Sequence, residues 1–121
     1  MVEALSSAAR VLRQDRANVL AVEGDIDLHV SPAVTEALNA MIKKKPDRIV
    51  IDLSRATYID SAGVAALMLA KQDVEAYGGK FFLSGVQETI RLILETSGLD
   101  RIFWIFADVD SALAAHGAWF T

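Results

Sequence analysis

A mixed α/β fold is predicted: a β-sheet of four to five strands with about four α-helices, in the order β-β-α-β-α-β-α-β-α. Three observations carry this. Short apolar runs recur along the chain, at Val19-Leu20-Ala21-Val22, Ile49-Val50-Ile51, Phe81-Phe82-Leu83 and Ile102-Phe103-Trp104-Ile105-Phe106. Longer segments with helical spacing of apolar residues separate them. Prolines and glycines stand at the joints, at Pro46, Gly78-Gly79 and Gly98. Strands alternating with helices of ten or more residues imply a sheet built through right-handed crossovers.

In chain order, residues 8–14 and 18–23 read as two strands joined by the polar turn Asp15-Arg16-Ala17, and Gly24-Asp25-Ile26-Asp27 ends the second. Ser31-Pro32 is a helix start, with serine at the N-cap and proline at the first helical position. Val34, Leu38, Met41 and Ile42 then recur at helical spacing up to Lys43-Lys44-Lys45, a solvated end where cations suit the helix dipole, and Pro46 stops the helix. His29 reads as a loop residue before that helix. Arg48 to Leu53 is a strand apolar on both faces, as one covered on both sides is. A helix from about Ser61 ends at Gly78-Gly79. Phe81-Phe82-Leu83 is the fourth strand, Val86 to Thr96 a helix closed by Ser97-Gly98, and Ile102 to Phe106 the fifth strand. Asp108 is placed to cap a last helix through about His116. The tail carries Trp119 and Phe120, expected to pack against the domain or a second copy, so a homodimer stays open.

The 121 residues fit one domain, 1–121, and 53% apolar with 23% charged residues is an ordinary globular balance. A net charge of −4 argues against nucleic-acid binding, which needs a basic stripe. There is no cysteine, and the two histidines, His29 and His116, lack ligand spacing, so neither disulfide nor metal nor cofactor is expected. The N-terminus has no basic stretch followed by an apolar one, and no run approaches a membrane span; the expectation is a cytoplasmic protein without membrane contact.

Asp60-Ser61-Ala62-Gly63 carries the functional reading. It follows a strand and opens a helix. A hydroxyl there either caps free backbone N–H groups or faces solvent and accepts a phosphate, whose charge of about −1.5 to −2 a helix N-terminus tolerates. Asp60 can cap equally well and so release Ser61. Gly63 permits close approach by another molecule or an unusual backbone angle. Val64-Ala65-Ala66-Leu67-Met68-Leu69-Ala70 is apolar throughout. Such a helix is covered on both sides or leaves an apolar patch in water. Burial is expected for Ala65 and Ala66, while Val64 or Met68 is a candidate docking residue beside the serine. Asp25 and Asp27 are either turn chemistry or an acidic rim near Ser61, able to hold a metal beside a kinase-bound nucleotide or to meet a basic partner. No serine–histidine–acid set and no glycine-rich phosphate loop is present, so no catalytic residue is assigned.

Three stretches together resemble the STAS domains, and within them the bacterial anti-sigma factor antagonists, over about residues 8–116. Gly24-Asp25-Ile26-Asp27 is similar to the family's glycine–acid–aliphatic–aspartate run after the second strand. Asp52-Leu53-Ser54 followed by Tyr58-Ile59-Asp60-Ser61-Ala62-Gly63-Val64 is similar to its central motif, and Thr96-Ser97-Gly98-Leu99 to the close of its third helix. The resemblance implies a STAS-type sheet and a binding module rather than an enzyme. It implies capture of an anti-sigma factor of the GHKL serine kinase type while Ser61 is unphosphorylated, release once that kinase phosphorylates Ser61, and resetting by a PP2C-type phosphatase. Asp25, Asp27, Asp60, Ser61, Ala62, Gly63, Val64 and Met68 are then the partner-binding residues. Ala62 stands where the family often has Ser or Thr, which confines phosphorylation within the motif to Ser61, and Val64 stands where Leu is common. Two other expectations stay open: a STAS scaffold or accessory subunit of a signalling or lipid-transport complex, and a nucleotide-binding STAS domain with ligand at the strand ends. Ser61, where the transporter-associated group commonly has Thr, favours the switch.

Overall fold

The computed structural model describes residues 9–14, as backbone, and 18–115. Its elements are β1 (Ala9–Gln14), β2 (Val19–Ile26), α1 (Ser31–Ile42), β3 (Arg48–Ile59), α2 (Ser61–Ala76), β4 (Lys80–Ser84), α3 (Glu88–Thr96), a 3₁₀ turn (Leu99–Arg101), β5 (Trp104–Phe106) and α4 (Val109–Ala114). The order is the expected one, with the 3₁₀ turn added. The turn Asp15–Ala17, His116 and the tail with Trp119 and Phe120 lie outside the described residues.

The five strands stand in the sheet in chain order, β1-β2-β3-β4-β5. β1 runs antiparallel to β2, and β2 to β5 are mutually parallel. Because successive right-handed crossovers all step in one direction, α1, α2 and α3 fall on one face of the sheet. Leu20, Ile51 and Leu83 point to that face and join Leu38, Leu67 and Leu94 in the main core. Val19, Val50 and Phe82, which pair across the strands, point to the other face, where Ala112 and Ala115 cover them. This explains why the central strands are apolar on both faces. Arg48 fastens α4 there by donating to the carbonyls of Ala112 and Leu113 at 3.2 and 2.6 Å.

Five boundaries differ from expectation, each for a local reason. β2 does not end at Glu23 but runs through Gly24 and Asp25 to Ile26, because β3 stays paired with it that far. The first helix begins with Ser31 buried inside it, and Ser31 does not cap. Asp27 takes the orphan donors instead: its carboxylate accepts from His29 and Val30 N–H, and its carbonyl from Val30 and Ser31 N–H. β3 runs on past Leu53 to Ile59, because β2 keeps pairing with it through two register shifts, to Asp25↔Tyr58 and Ile26↔Ile59. Helix α3 begins at Glu88 rather than Val86, since the Gln87 side chain donates to the Ser54 carbonyl and holds the approach to the helix extended. β5 begins at Trp104 rather than Ile102, since the N–H groups of Ile102 and Phe103 both turn back to the Leu99 carbonyl.

β4 ends opposite Asp52, so beyond that point β3 is paired only to β2. The two strands run on together past the ends of β4 and β5, with β1 alongside β2 as far as Gly24, opposite Ala56, so that their last residues project alone. The chain enters α2 at the tip of this projection.

Candidate functional site

At the tip, β2 and β3 end side by side and are tied by Asp60 N–H donating to the Ile26 carbonyl at 3.1 Å. Asp60 has extended backbone and caps α2: its Oδ1 accepts from Gly63 N–H at 3.0 Å. Its Oδ2 accepts from Leu28 N–H, also at 3.0 Å, which holds the β2–α1 loop against the start of α2. One carboxylate therefore satisfies a helix orphan donor and staples a neighbouring loop. With the cap taken by Asp60, Ser61 stands exposed as the first residue of the 16-residue helix. Among the described residues its hydroxyl has no hydrogen-bond partner. This is the alternative in which Asp60 releases the serine.

Gly63 acts inwardly. A Cβ there would lie 2.6 Å from the Ile26 carbonyl oxygen and 2.7 Å from Ile59 Cγ1. The missing side chain thus admits the chain's own β2 and β3 ends, and Gly63 is buried. Close approach by another molecule is not what it provides. Asp25 and Asp27 do sit at the β2 end, as expected, but both carboxylates are engaged. Asp25 accepts from the Thr57 hydroxyl at 2.7 Å, and Asp27 closes the turn into α1. Among the described residues no three His, Cys, Asp or Glu side chains gather as a metal ligand set.

Along α2, Ala66, Leu67 and Ala70 are buried, whereas Ala62, Val64 and Met68 are half-buried. Ala65, expected inside, is exposed; it shares the outer face with Leu69, four residues on and 59% exposed. The helix is covered on one side only, and its apolar run leaves a patch in water. Two further apolar residues beside Ser61 escaped the sequence reading: Leu28, 67% exposed, and Tyr58, 44% exposed. The sequence offered only a weak signal for each: for Leu28 an apolar residue between Asp27 and His29, and for Tyr58 an aromatic between Thr57 and Ile59. Between α2 and α3 a groove of about 500 Å³ opens next to Ser61, lined among others by Tyr58, Val64, Ile93 and Leu99.

The sequence matches the STAS domain family over residues 8–112. This chain belongs to the STAS family. Its relatives within the family include anti-sigma factor antagonists. RsfB of Mycobacterium tuberculosis, an anti-sigma-F factor antagonist, is 30% identical over 95 residues, which are 78% of this STAS domain and 77% of the relative. The crystal structure of an anti-sigma factor antagonist from Mycobacterium paratuberculosis superposes with a TM-score of 0.77 at 27% identity, covering 88% of this chain and 92% of that one. SpoIIAA, a Bacillus cell fate determinant solved in its phosphorylated form, shares the fold with a TM-score of 0.65 at 21% identity, over 88% and 96% of the two chains.

Proposed function

We propose that this STAS domain is a phospho-switched anti-sigma factor antagonist. Unmodified, it captures an anti-sigma factor of the GHKL serine kinase type. The kinase transfers the γ-phosphoryl group of ATP to Ser61 Oγ, with ADP leaving and the hydroxyl proton lost, and the pair separates. A PP2C-type phosphatase hydrolyses the ester with water and restores the hydroxyl. The domain acts as a binding module in the cytoplasm and contributes no catalytic residue of its own; among the described residues no helix is long and apolar enough to cross a membrane.

The observation that carries this reading is the division of labour between Asp60 and Ser61. Asp60 holds the helix start through both carboxylate oxygens, and the exposed Ser61 hydroxyl has no structural task. A phosphate at Ser61 meets the positive end of α2, so the folded domain accommodates it. The same fold carries a phosphoryl group in SpoIIAA. At an interface the outcome reverses. The phosphate stands near Asp60, whose carboxylate is pinned and cannot swing away, and mispaired charge between docked surfaces costs several kcal/mol. A loss of about 2.7 kcal/mol already lowers affinity a hundredfold. Leu28, Tyr58 and Leu69 supply exposed apolar contact around the serine.

The test is incubation with the cognate kinase and ATP, followed by peptide mass spectrometry. Phosphate on Ser61, absent from Ser61→Ala and accompanied by release of the kinase, supports the switch. An active kinase that leaves Ser61 unmodified contradicts it.

A further inference from the structure

We propose that the groove between α2 and α3 is a second anchor point for the same partner, and that it takes an apolar side chain flanked by a lysine or arginine. This rests on partner capture at Ser61. The groove holds about 500 Å³, within the range of built binding sites. Its walls come from four separate elements: Tyr58 from the β3 tip, Val64 from the first turns of α2, Ile93 and Ser97 from the end of α3, and Leu99 from the 3₁₀ turn. Val64, Ile93 and Leu99 pack against the core on one side and remain half-exposed on the other. Apolar side chains therefore share the groove lining with Ser61 itself, beside the polar Asp60 and Ser97.

Charge complementarity identifies the occupant. Asp60 is the one charged residue of the lining, and the chain as a whole carries −4. Each Asp60 oxygen accepts a single backbone N–H, which leaves lone pairs for a cation at the rim. A free anionic ligand meets the Asp60 carboxylate and no cationic side chain in the lining. A small neutral ligand needs most of its surface buried, which a groove open to solvent does not supply. A protein side chain does not need this, because the body of the partner covers the opening. Since Ser61 itself lines the groove, a phosphate on it intrudes on both anchor points at once.

Ser97 is the place to test this. It is exposed, its hydroxyl donates only to the Ile93 carbonyl at 2.9 Å, and it lies outside the core. Titration of the cognate GHKL-type anti-sigma kinase, loaded with ADP, is compared across variants whose folding is checked by thermal melting. Ser97→Trp, which fills the groove, is expected to lower affinity at least tenfold. Ser97→Arg is expected to bind about tenfold more weakly than Ser97→Glu. Leu92→Gln, on an exposed part of α3 outside the lining, is expected to stay within twofold of wild type. Ser61→Glu serves as the reference for capture at the serine. If Ser61→Glu loses binding while the Ser97 variants match wild type, the groove proposal is overturned and capture at Ser61 stands. Equal weakening by Ser97→Arg and Ser97→Glu overturns the basic flank. A wild-type chain that does not bind the kinase overturns both readings. Should Ser97→Trp fail to fold, the Arg and Glu pair still decides.

Discussion

Helices α2 and α4 begin in the same way and are used differently. Each starts after an aspartate in extended backbone whose Oδ1 accepts the N–H three residues on: Asp60 from Gly63 at 3.0 Å, Asp108 from Ser111 at 2.7 Å. At Asp108 the cap ends the matter. The next residue, Val109, packs against the small second core, and the six-residue helix simply closes the rear face of the sheet. At Asp60 the second oxygen also holds Leu28, Gly63 lets the helix settle onto the β2 and β3 tips, and the next residue is an exposed serine. An identical local cap is thus a plain terminus in one place and the mount for an exposed, unengaged hydroxyl in the other. The neighbours of the cap, not the cap itself, make the difference.

The two helix starts differ most at Gly63. Gly63→Ala forces a Cβ into the Ile26 carbonyl, and overpacking of this kind is expected to cost about 3 kcal/mol in chemical denaturation. Alanine at Ser111, the corresponding position of α4, is expected to cost under 1 kcal/mol, because Ser111 is exposed. Next come the caps. Asp60→Ala removes both the helix cap and the staple to Leu28 and is expected to cost about 2 kcal/mol, more than Asp108→Ala, which removes contacts to Ser111 alone at a fully exposed helix start. Equal costs in the two variants contradict the stapling role of Asp60. The smallest effect sharpens the contrast: Ser61→Ala is expected to stay within about 0.5 kcal/mol of wild type, as an uninvolved surface side chain does. A larger loss returns Ser61 to a structural role.

A pH experiment probes α4 alone. The backbone and side-chain hydrogen bonds from Ser111 hold the Asp108 carboxyl below its ordinary value of 3.8. A group depressed in the folded state stabilises fully above its unfolded pKa, and the contribution drains as pH falls through the folded one. Protection of the Val109–Ala114 amides is therefore expected to hold near neutrality and to fall below about pH 3.8, with Asp108→Asn flattening that dependence. Hydrogen exchange followed by mass spectrometry at several pH values reads this directly.

Much of this was legible in the residues. Pro46, Gly78-Gly79 and Asp108 mark boundaries by their own backbone chemistry, and Asp60 ahead of Ser61 announces a competition for the cap that the structure resolves in favour of Asp60. The rest depended on pairing. In the second half of β3 the buried residues are Leu53, Ala56 and Ile59, three apart, because register shifts interrupt the two-residue alternation by which a strand is read. Tyr58 and Leu28 are exposed through that same pairing and the Asp60 staple, neither of which a local pattern contains. The role of Gly63 was misread for the same reason: its occupant, Ile26, lies on another strand. Ala65 and Ala66 are chemically identical, and only helix rotation against the sheet sends one out and the other in.

Under the proposed switch, Ser61 controls binding without bearing on the fold. This is tested most directly by preparing the chain with and without phosphate on Ser61, then measuring for each both the melting temperature and the affinity for the ADP-loaded kinase. A hundredfold or greater loss of affinity, about 2.7 kcal/mol, is expected on phosphorylation, with the two melting temperatures within about 2 °C. Unchanged affinity contradicts the switch, and so does a loss of affinity that arrives with a collapse of the melt.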